Sequence, residues 1–464
     1  MSRQMEKSRS RSKTTSSSWP SSMYGVAILV AVLAVSVVLP PKIEPLNVLS
    51  DWIGPTWTSV VDTINPIDPT DYMARARRLL RTTPLIDGHN DFPFNLRQQL
   101  HNKIYDRDFR TERIGSHSDF QKMKDGMMGG QFWSVYVPCP EDLVPGVDLH
   151  DPNKPVPDLN EPSWTVRDTL EQIDITKRMV DHYPDLFELC VTPSCVRRAH
   201  NRGRIASMIG VEGGHQTGNS LGALRLFFES GVRYMTLTHN CDNALGTSWV
   251  SVDLEAGKDD GLGKFGRDAV LEMNRLGMFV DLSHVSPQTM RDALKVARAP
   301  VIFSHSGAYS VNNHLRNVPD DVLGMVRKNG GVVMIPAIPF FMNWEHPERA
   351  TIEDIIDHVH WVADKAGWEH VGLGSDFDGA PLNVKGLEDT SQWPNLIARL
   401  LARGNVTDTQ VKMLLGDNVL RAWEQVEKVA KQLQKQGELP NEETWEGRVW
   451  EPENFDTPRI FPGV

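Results

Sequence analysis

Residues 278–306 read MFVDLSHVSPQTMRDALKVARAPVIFSHS. Met278–Leu282 and Val301–Phe303 are short apolar runs rich in β-branched and aromatic side chains, the composition of buried strands. Between them Ser286 is placed to cap a helix, and Pro287 to take the first helical position, where there is no N–H bond to lose. Pro300 then bars the helix from continuing. The stretch reads as a strand–helix–strand unit of the kind that builds a parallel sheet. Each strand runs directly into polar residues: Ser283-His284 after the first, Ser304-His305-Ser306 after the second.

The alternation extends in both directions. Leu85-Ile86, Phe132–Val137, Ala206–Val211, Tyr234–Leu237, Val332–Ile335 and Val371–Leu373 are further strand candidates, which makes eight in all. Segments of helical periodicity separate them. Thr351 precedes Ile355, Ile356, Val359 and Val362, the apolar face of a helix, with Asp354 where a capping-box acid belongs. Gly231 and Gly277 stand where helices should stop. No repeat of solenoid length is present. Eight strands with intervening helices predict an α/β fold of the (β/α)8 TIM-barrel type.

In such a barrel the C-terminal ends of all the strands meet on one face, where active sites form. Those ends carry Asp87-Gly88-His89-Asn90-Asp91, Glu212-Gly213-Gly214, Thr238-His239-Asn240, Ser283-His284, Ser304-His305 and Ser375-Asp376-Phe377-Asp378-Gly379. His89 and Asp91 are two residues apart, so an extended backbone points both the same way. His284 and His305 arrive from neighbouring strands. Imidazole and carboxylate together suit zinc and related divalent ions, and a carboxylate such as Glu212 can bridge two of them. Taken singly, each residue has a plainer role. A lone histidine usually only bonds its surroundings, Glu212 suits a cap or an ion pair, and Asp376 with Asp378 suits a turn before Gly379. Polar ends on six of eight apolar strands would be unfavourable to bury without a shared purpose, and that concurrence points to metal. The remaining histidines carry less. His358 and His360 do not share a helix face, His215 follows two glycines in a loop, and His314 lies near Arg316 at the mouth.

The chain has 464 residues, 40% apolar and 23% charged, enough for one large barrel with extensions. A net charge of −11 and the lack of a basic stripe in the main body disfavour a nucleic-acid partner. The first 22 residues are serine-rich and carry Arg3, Lys7, Arg9, Arg11 and Lys13, a composition that cannot bury a core. An uncharged apolar run follows from Met23 to Leu39. Its length is at the short end for a membrane span, and the preceding positive charges would keep the N-terminus in the cytosol and the body extracellular or lumenal. The alternative is a cleaved signal peptide and a secreted chain. The final residues carry no apolar tail of the kind a GPI signal needs. Cys139, Cys190, Cys195 and Cys241 allow three pairings, and Asn405-Val406-Thr407 is a glycosylation sequon.

The segments Leu85–Asp91 (LIDGHND), Gln131–Cys139 (QFWSVYVPC), Ile209–Gly214 (IGVEGG), Tyr234–Cys241 (YMTLTHNC) and Gly372–Gly379 (GLGSDFDG) resemble the membrane dipeptidase family, also called renal dipeptidase or dehydropeptidase. This is a group of binuclear zinc hydrolases with an amidohydrolase-like barrel, and the resemblance covers roughly residues 75–430. It implies two zinc ions per chain, one held by His89 and Asp91, the other by His284 and His305, with Glu212 between them. It further implies that His239 binds substrate and stabilises the oxyanion, that Arg316 binds the substrate carboxylate, and that Asp376 moves the proton. A Cys139–Cys241 disulfide is implied too, which leaves Cys190 and Cys195 for each other. Some relatives are disulfide-linked dimers through a late cysteine, which this chain lacks, so only a non-covalent homodimer stays open. The expected organisation is a basic tail (1–22), an anchor (23–39), a linker (40–74), a metal-dependent dipeptidase barrel (75–435) and an extension (436–464). The rival readings are another metal-dependent amide hydrolase, acting on N-acyl amino acids or lactams, and a cell-surface binding protein that keeps the fold without catalysis.

Overall fold

The computed structural model describes residues 67–113, 115–140, 164–254 and 258–448. The basic tail, the Met23–Leu39 run and the final residues of the C-terminal extension lie outside them. Among the described residues no helix is long and apolar enough to cross a membrane.

Among the described residues, nine parallel strands form one sheet: β1 (Leu85–Asn90), β2 (Met128–Val135), β3 (Phe187–Leu189), β4 (Ile205–Glu212), β5 (Val232–Thr236), β6 (Phe279–Asp281), β7 (Ile302–Phe303), β8 (Val332–Ile335) and β9 (Val371–Leu373). Their order is β2-β1-β9-β8-β7-β6-β5-β4-β3, and β2 also pairs with β4 from Gly130↔Ala206 to Val135↔Val211. That last pairing closes the sheet into a ring of eight, the barrel expected from the alternating runs. β3 is the exception. It lies outside the ring on the start of β4, where Phe187 pairs with Ile205. Three residues with a glutamate in the middle offer no apolar run to read, so only pairing to an existing strand makes this segment extended.

Alternation along the strands separates two layers of core. Ile86, Phe132, Met208, Tyr234, Phe279, Ile302 and Met334 are buried in one cluster, which Trp423 of the helix Asn418–Lys435 joins. Their strand neighbours Leu85, Trp133, Ile209, Met235, Val280, Phe303 and Val333 belong to the larger cluster beneath the surrounding helices. The first set fills the barrel interior and the second faces the helices, as a period of two requires. Gly210 is part of this packing. A β-carbon there would lie 2.0 Å from the Tyr234 ring, so glycine makes room for an aromatic side chain inside the barrel.

The connecting helices follow their local signals. Ser286 caps Pro287–Val296 by accepting from the Thr289 amide, and Thr351 and Asp354 form a reciprocal capping box on Ile352–Ala366. Gly277 ends Lys264–Leu276 with φ 93°, a left-handed conformation that glycine adopts without strain. The helix Tyr72–Thr82 straddles the boundary read at residue 75 and packs Leu79 and Leu80 into the core. Residues beyond 435 begin against the barrel, where the Asn441 amide donates to Glu272. Two disulfides are present, Cys139–Cys241 and Cys190–Cys195.

Candidate metal centre and active site

Parallel strands that end together leave their last residues on one rim. β1 delivers His89, with Asp91 just beyond, and β4 ends on Glu212. His239 follows β5, His284 follows β6, His305 follows β7 and Asp376 follows β9. Two turns need an unusual backbone to aim their side chains inward. His284 has φ 65° and Asp376 φ 64°, left-handed values that non-glycine residues rarely adopt. Gly379 permits a second close approach, because a β-carbon there would lie 2.4 Å from both an Asp376 and an Asp91 carboxylate oxygen.

The side chains converge on one atom, Glu212 Oε1. It lies 3.1 Å from His284 Nε2, 3.4 Å from His89 Nε2, 3.4 Å from His305 Nε2 and 3.9 Å from His239 Nε2. His89 Nε2 is also 3.3 Å from Asp91 Oδ2 and 3.9 Å from Asp376 Oδ1. Among the three histidine ligand candidates, the ring centroid of His305 is 3.9 Å from that of His89 and 5.0 Å from that of His284. His89, Asp91, Glu212, His284 and His305 are all buried.

This donor set fits divalent metal ions. His89 Nε2 and Asp91 Oδ1 are buried with no hydrogen-bond partner, which is unfavourable unless a cation completes them. Burial holds His239, His284 and His305 well below the usual imidazole pKa, with Arg316 adding to it, so these rings present lone pairs rather than positive charge. Burial also raises Asp91, and it raises Asp376 well above the carboxylate range. Nitrogen and oxygen donors in this mixture match zinc-type ions.

A cavity of about 250 Å³ opens onto the cluster, with Asp91, Glu212, His239, His284 and Asp376 on its polar side and Phe94, Tyr136, Ile338 and Phe341 on its apolar side. Arg316, 1% exposed, packs against Phe341 of the cavity wall. Its Nη atoms approach Ser306 Oγ and the His305 carbonyl at 3.4 Å each, its Nε has no partner, and its guanidinium lies 4.9 Å from the Phe341 ring centre. Burial pushes its pKa down to about 10. A guanidinium with two long hydrogen bonds and an unpartnered Nε is suited to receive an anion.

The outer residues sort differently. Asp378 accepts from Ser116 Oγ and the His117 amide, tying a loop to the rim. His215 is buried and its Nε2 bonds the Val137 carbonyl, so it pins the chain leaving β2 rather than sitting free in a loop. His314 is wedged among Trp249, Phe341 and Trp344. Two buried carboxylates went unread in the sequence. Asp87 accepts from Ser375 N and Oγ, and Asp281 accepts from Ser304 N and Oγ, so each ties a ligand-bearing strand end to its neighbour. The signal was available: an aspartate stands just before the histidine in both Asp87-Gly88-His89 and Asp281-Leu282-Ser283-His284.

Known proteins match most of the chain. The family described as membrane dipeptidase (peptidase family M19) matches residues 73–437. An uncharacterized dipeptidase of Schizosaccharomyces pombe is 46% identical over 392 residues, 84% of this chain and 91% of the relative. The dipeptidase verJ of Clonostachys rogersoniana is 45% identical over 389 residues, 84% and 96% of the two chains. Among solved structures, a metallopeptidase from Rhodobacter sphaeroides, bound to a phosphinate mimic of the dipeptide L-Ala-D-Ala, is 28% identical with a TM-score of 0.65, covering 74% of this chain and 99% of that one. With the barrel, the donor cluster and these relatives together, the chain belongs to the membrane dipeptidase family, peptidase family M19, and is a metal-dependent peptide hydrolase.

Proposed function

We propose that this chain cleaves dipeptides with two zinc ions, one held by His89 and Asp91, the other by His284 and His305, with Glu212 shared. The observation that carries the reading is the convergence of His89, His284 and His305 on the single oxygen Glu212 Oε1, at 3.1–3.4 Å. When bound, a pair of such ions lowers the pKa of a shared water toward neutrality. The chain's own residues do the rest. Arg316 holds the C-terminal carboxylate of the substrate, which limits the enzyme to peptides whose carboxylate lies one residue from the scissile bond. His239 donates to the carbonyl oxygen as negative charge develops on it. Asp376 takes a proton from the attacking water and passes it to the leaving nitrogen. The dipeptide mimic bound by the Rhodobacter relative supports this substrate class.

The Met23–Leu39 run is proposed as an uncleaved anchor with the barrel on the extracytosolic side. The two disulfides support an oxidising compartment.

The test is elemental analysis of the full chain together with an assay on a dipeptide panel. About two zinc ions per chain are expected, and Glu212→Ala should lower occupancy of both sites. Arg316→Met should raise KM for dipeptides with a free C-terminus and change little for C-terminal amides, which lack the anion. Equal losses on both substrates would make Arg316 structural, and a chain that cleaves the amides as well as the free dipeptides would favour another amide hydrolase.

A further inference from the structure

Resting on the metal reading above, we propose that Asn240 and Ser304 are positioning residues of the metal centre: each accepts the Nδ1 hydrogen of one histidine and so leaves that ring's Nε2 lone pair facing Glu212. The argument is a count of hydrogens.

Ser304 Oγ lies 2.7 Å from Asp281 Oδ2 and 2.8 Å from His305 Nδ1. Asp281 is ringed by donors, because Thr236 Oγ1 and the amides of Ser283 and Ser304 also point to it, at 2.6, 3.1 and 2.8 Å. It is therefore an acceptor, and the single hydrogen of the Ser304 hydroxyl goes to it. Toward His305 the same oxygen can then only accept. His305 must carry its hydrogen on Nδ1, and Nε2 is bare.

Asn240 performs the same task by another route. Trp249 Nε1 can only donate, and it lies 2.9 Å from Asn240 Oδ1, which fixes which end of the amide faces inward. That oxygen is also 2.9 Å from His284 Nδ1. An amide oxygen cannot donate, so His284 too carries its hydrogen on Nδ1.

The two locks have a joint consequence. His284 Nε2 and His305 Nε2 are 3.0 Å apart, yet neither has a hydrogen to share. Their lone pairs and that of Glu212 Oε1 face one another, an arrangement that a cation stabilises. His89 differs. Its Nδ1 meets the Tyr234 hydroxyl at 2.9 Å, a group that can donate or accept, so no tautomer is imposed there. The locks thus act on one of the two metal positions. Outer partners of this kind are worth about 10–100-fold in metal affinity.

Zinc titration of the metal-stripped full chain against a competing chelator dye tests this without any substrate. Asn240→Leu, close to Asn in shape but without an acceptor, should weaken one of two zinc equivalents by about 10–100-fold and leave the other unchanged. Asn240→Asp keeps the acceptor and should bind within a few-fold of wild type. Ser304→Ala should weaken the same equivalent as Asn240→Leu, and if it fails to fold, the Asn240 pair decides. Wild-type affinity in Asn240→Leu, or equal losses in Asn240→Leu and Asn240→Asp, would overturn the proposal while leaving the metal centre intact. A wild-type chain that takes up no zinc would instead overturn the proposed function, and this inference with it.

Discussion

Asp376 combines a left-handed backbone, φ 64°, with a carboxyl whose oxygen comes within 3.9 Å of His89 Nε2. Its amide donates to the His89 carbonyl at 3.1 Å, so the strain is held by the neighbouring strand end. Burial raises its pKa, with Asp91 and Glu212 adding to that, a setting in which a carboxyl can keep a proton and return it. Asp376→Asn is nearly isosteric and cannot exchange a proton. It should keep the bound metal while kcat falls by about 10²–10⁴, the scale of general acid–base catalysis. Zinc content and turnover measured on one preparation decide the matter. Loss of metal and activity together would make Asp376 a ligand, and near-normal turnover would remove it from the mechanism. At this scale the inward-facing residues were legible because each directly follows an apolar run. The tying roles of Asp87 and Asp281 went unread, because an aspartate two or three residues before a histidine has many local uses, and only the strand across the gap shows what it holds.

The helix Ile352–Ala366 carries a different kind of histidine. His358 is buried, and its Nδ1 accepts from the Ala308 amide at 2.8 Å, beyond the end of β7. Burial pushes its pKa down to about 4, against weaker opposing effects of the Met342 backbone and Asp357. The unfolded chain takes up this proton below about 6.5, whereas the folded chain refuses it until about 4. The contribution of His358 to stability is therefore complete above about pH 6.5 and is lost as pH falls from there toward 4, at roughly 1.4 kcal/mol per pH unit. His358→Asn can keep an acceptor for the Ala308 amide and does not titrate. Denaturant unfolding of both proteins between these pH values should show a shallower acid decline for the variant, and parallel curves would contradict the assignment. Reading the sequence set this residue aside for want of a ligand partner on its own helix face. Its partner comes from another connection, which helical periodicity does not reveal.

Across the described body, the Cys139–Cys241 bond joins positions 102 residues apart, linking the chain that leaves β2 to the loop that carries His239. A cross-link over so long a loop restricts the unfolded chain strongly. Replacing both cysteines with serine should lower stability by up to about 4 kcal/mol, measured by denaturant unfolding of the full chain. An unchanged midpoint and slope would mean that the bond constrains nothing that packing does not already hold.

The one-dimensional string carried the barrel, because short apolar runs, caps and glycine stops are local signals that agree with one another through the barrel. It also carried the inward-facing residues, because parallel strands must end on a common rim. Ring closure was decided by the three-dimensional fold. β2 meets β4 across the segment that contains β3, and that choice rests on pairing partners distant in sequence. The same holds for the convergence on Glu212 Oε1, the unpartnered Nε of Arg316 and the Asn240 oxygen facing His284. The Glu212 and Asn240 contacts join residues tens of positions or more apart, and hydrogen-bond roles are assigned only when both partners are in place.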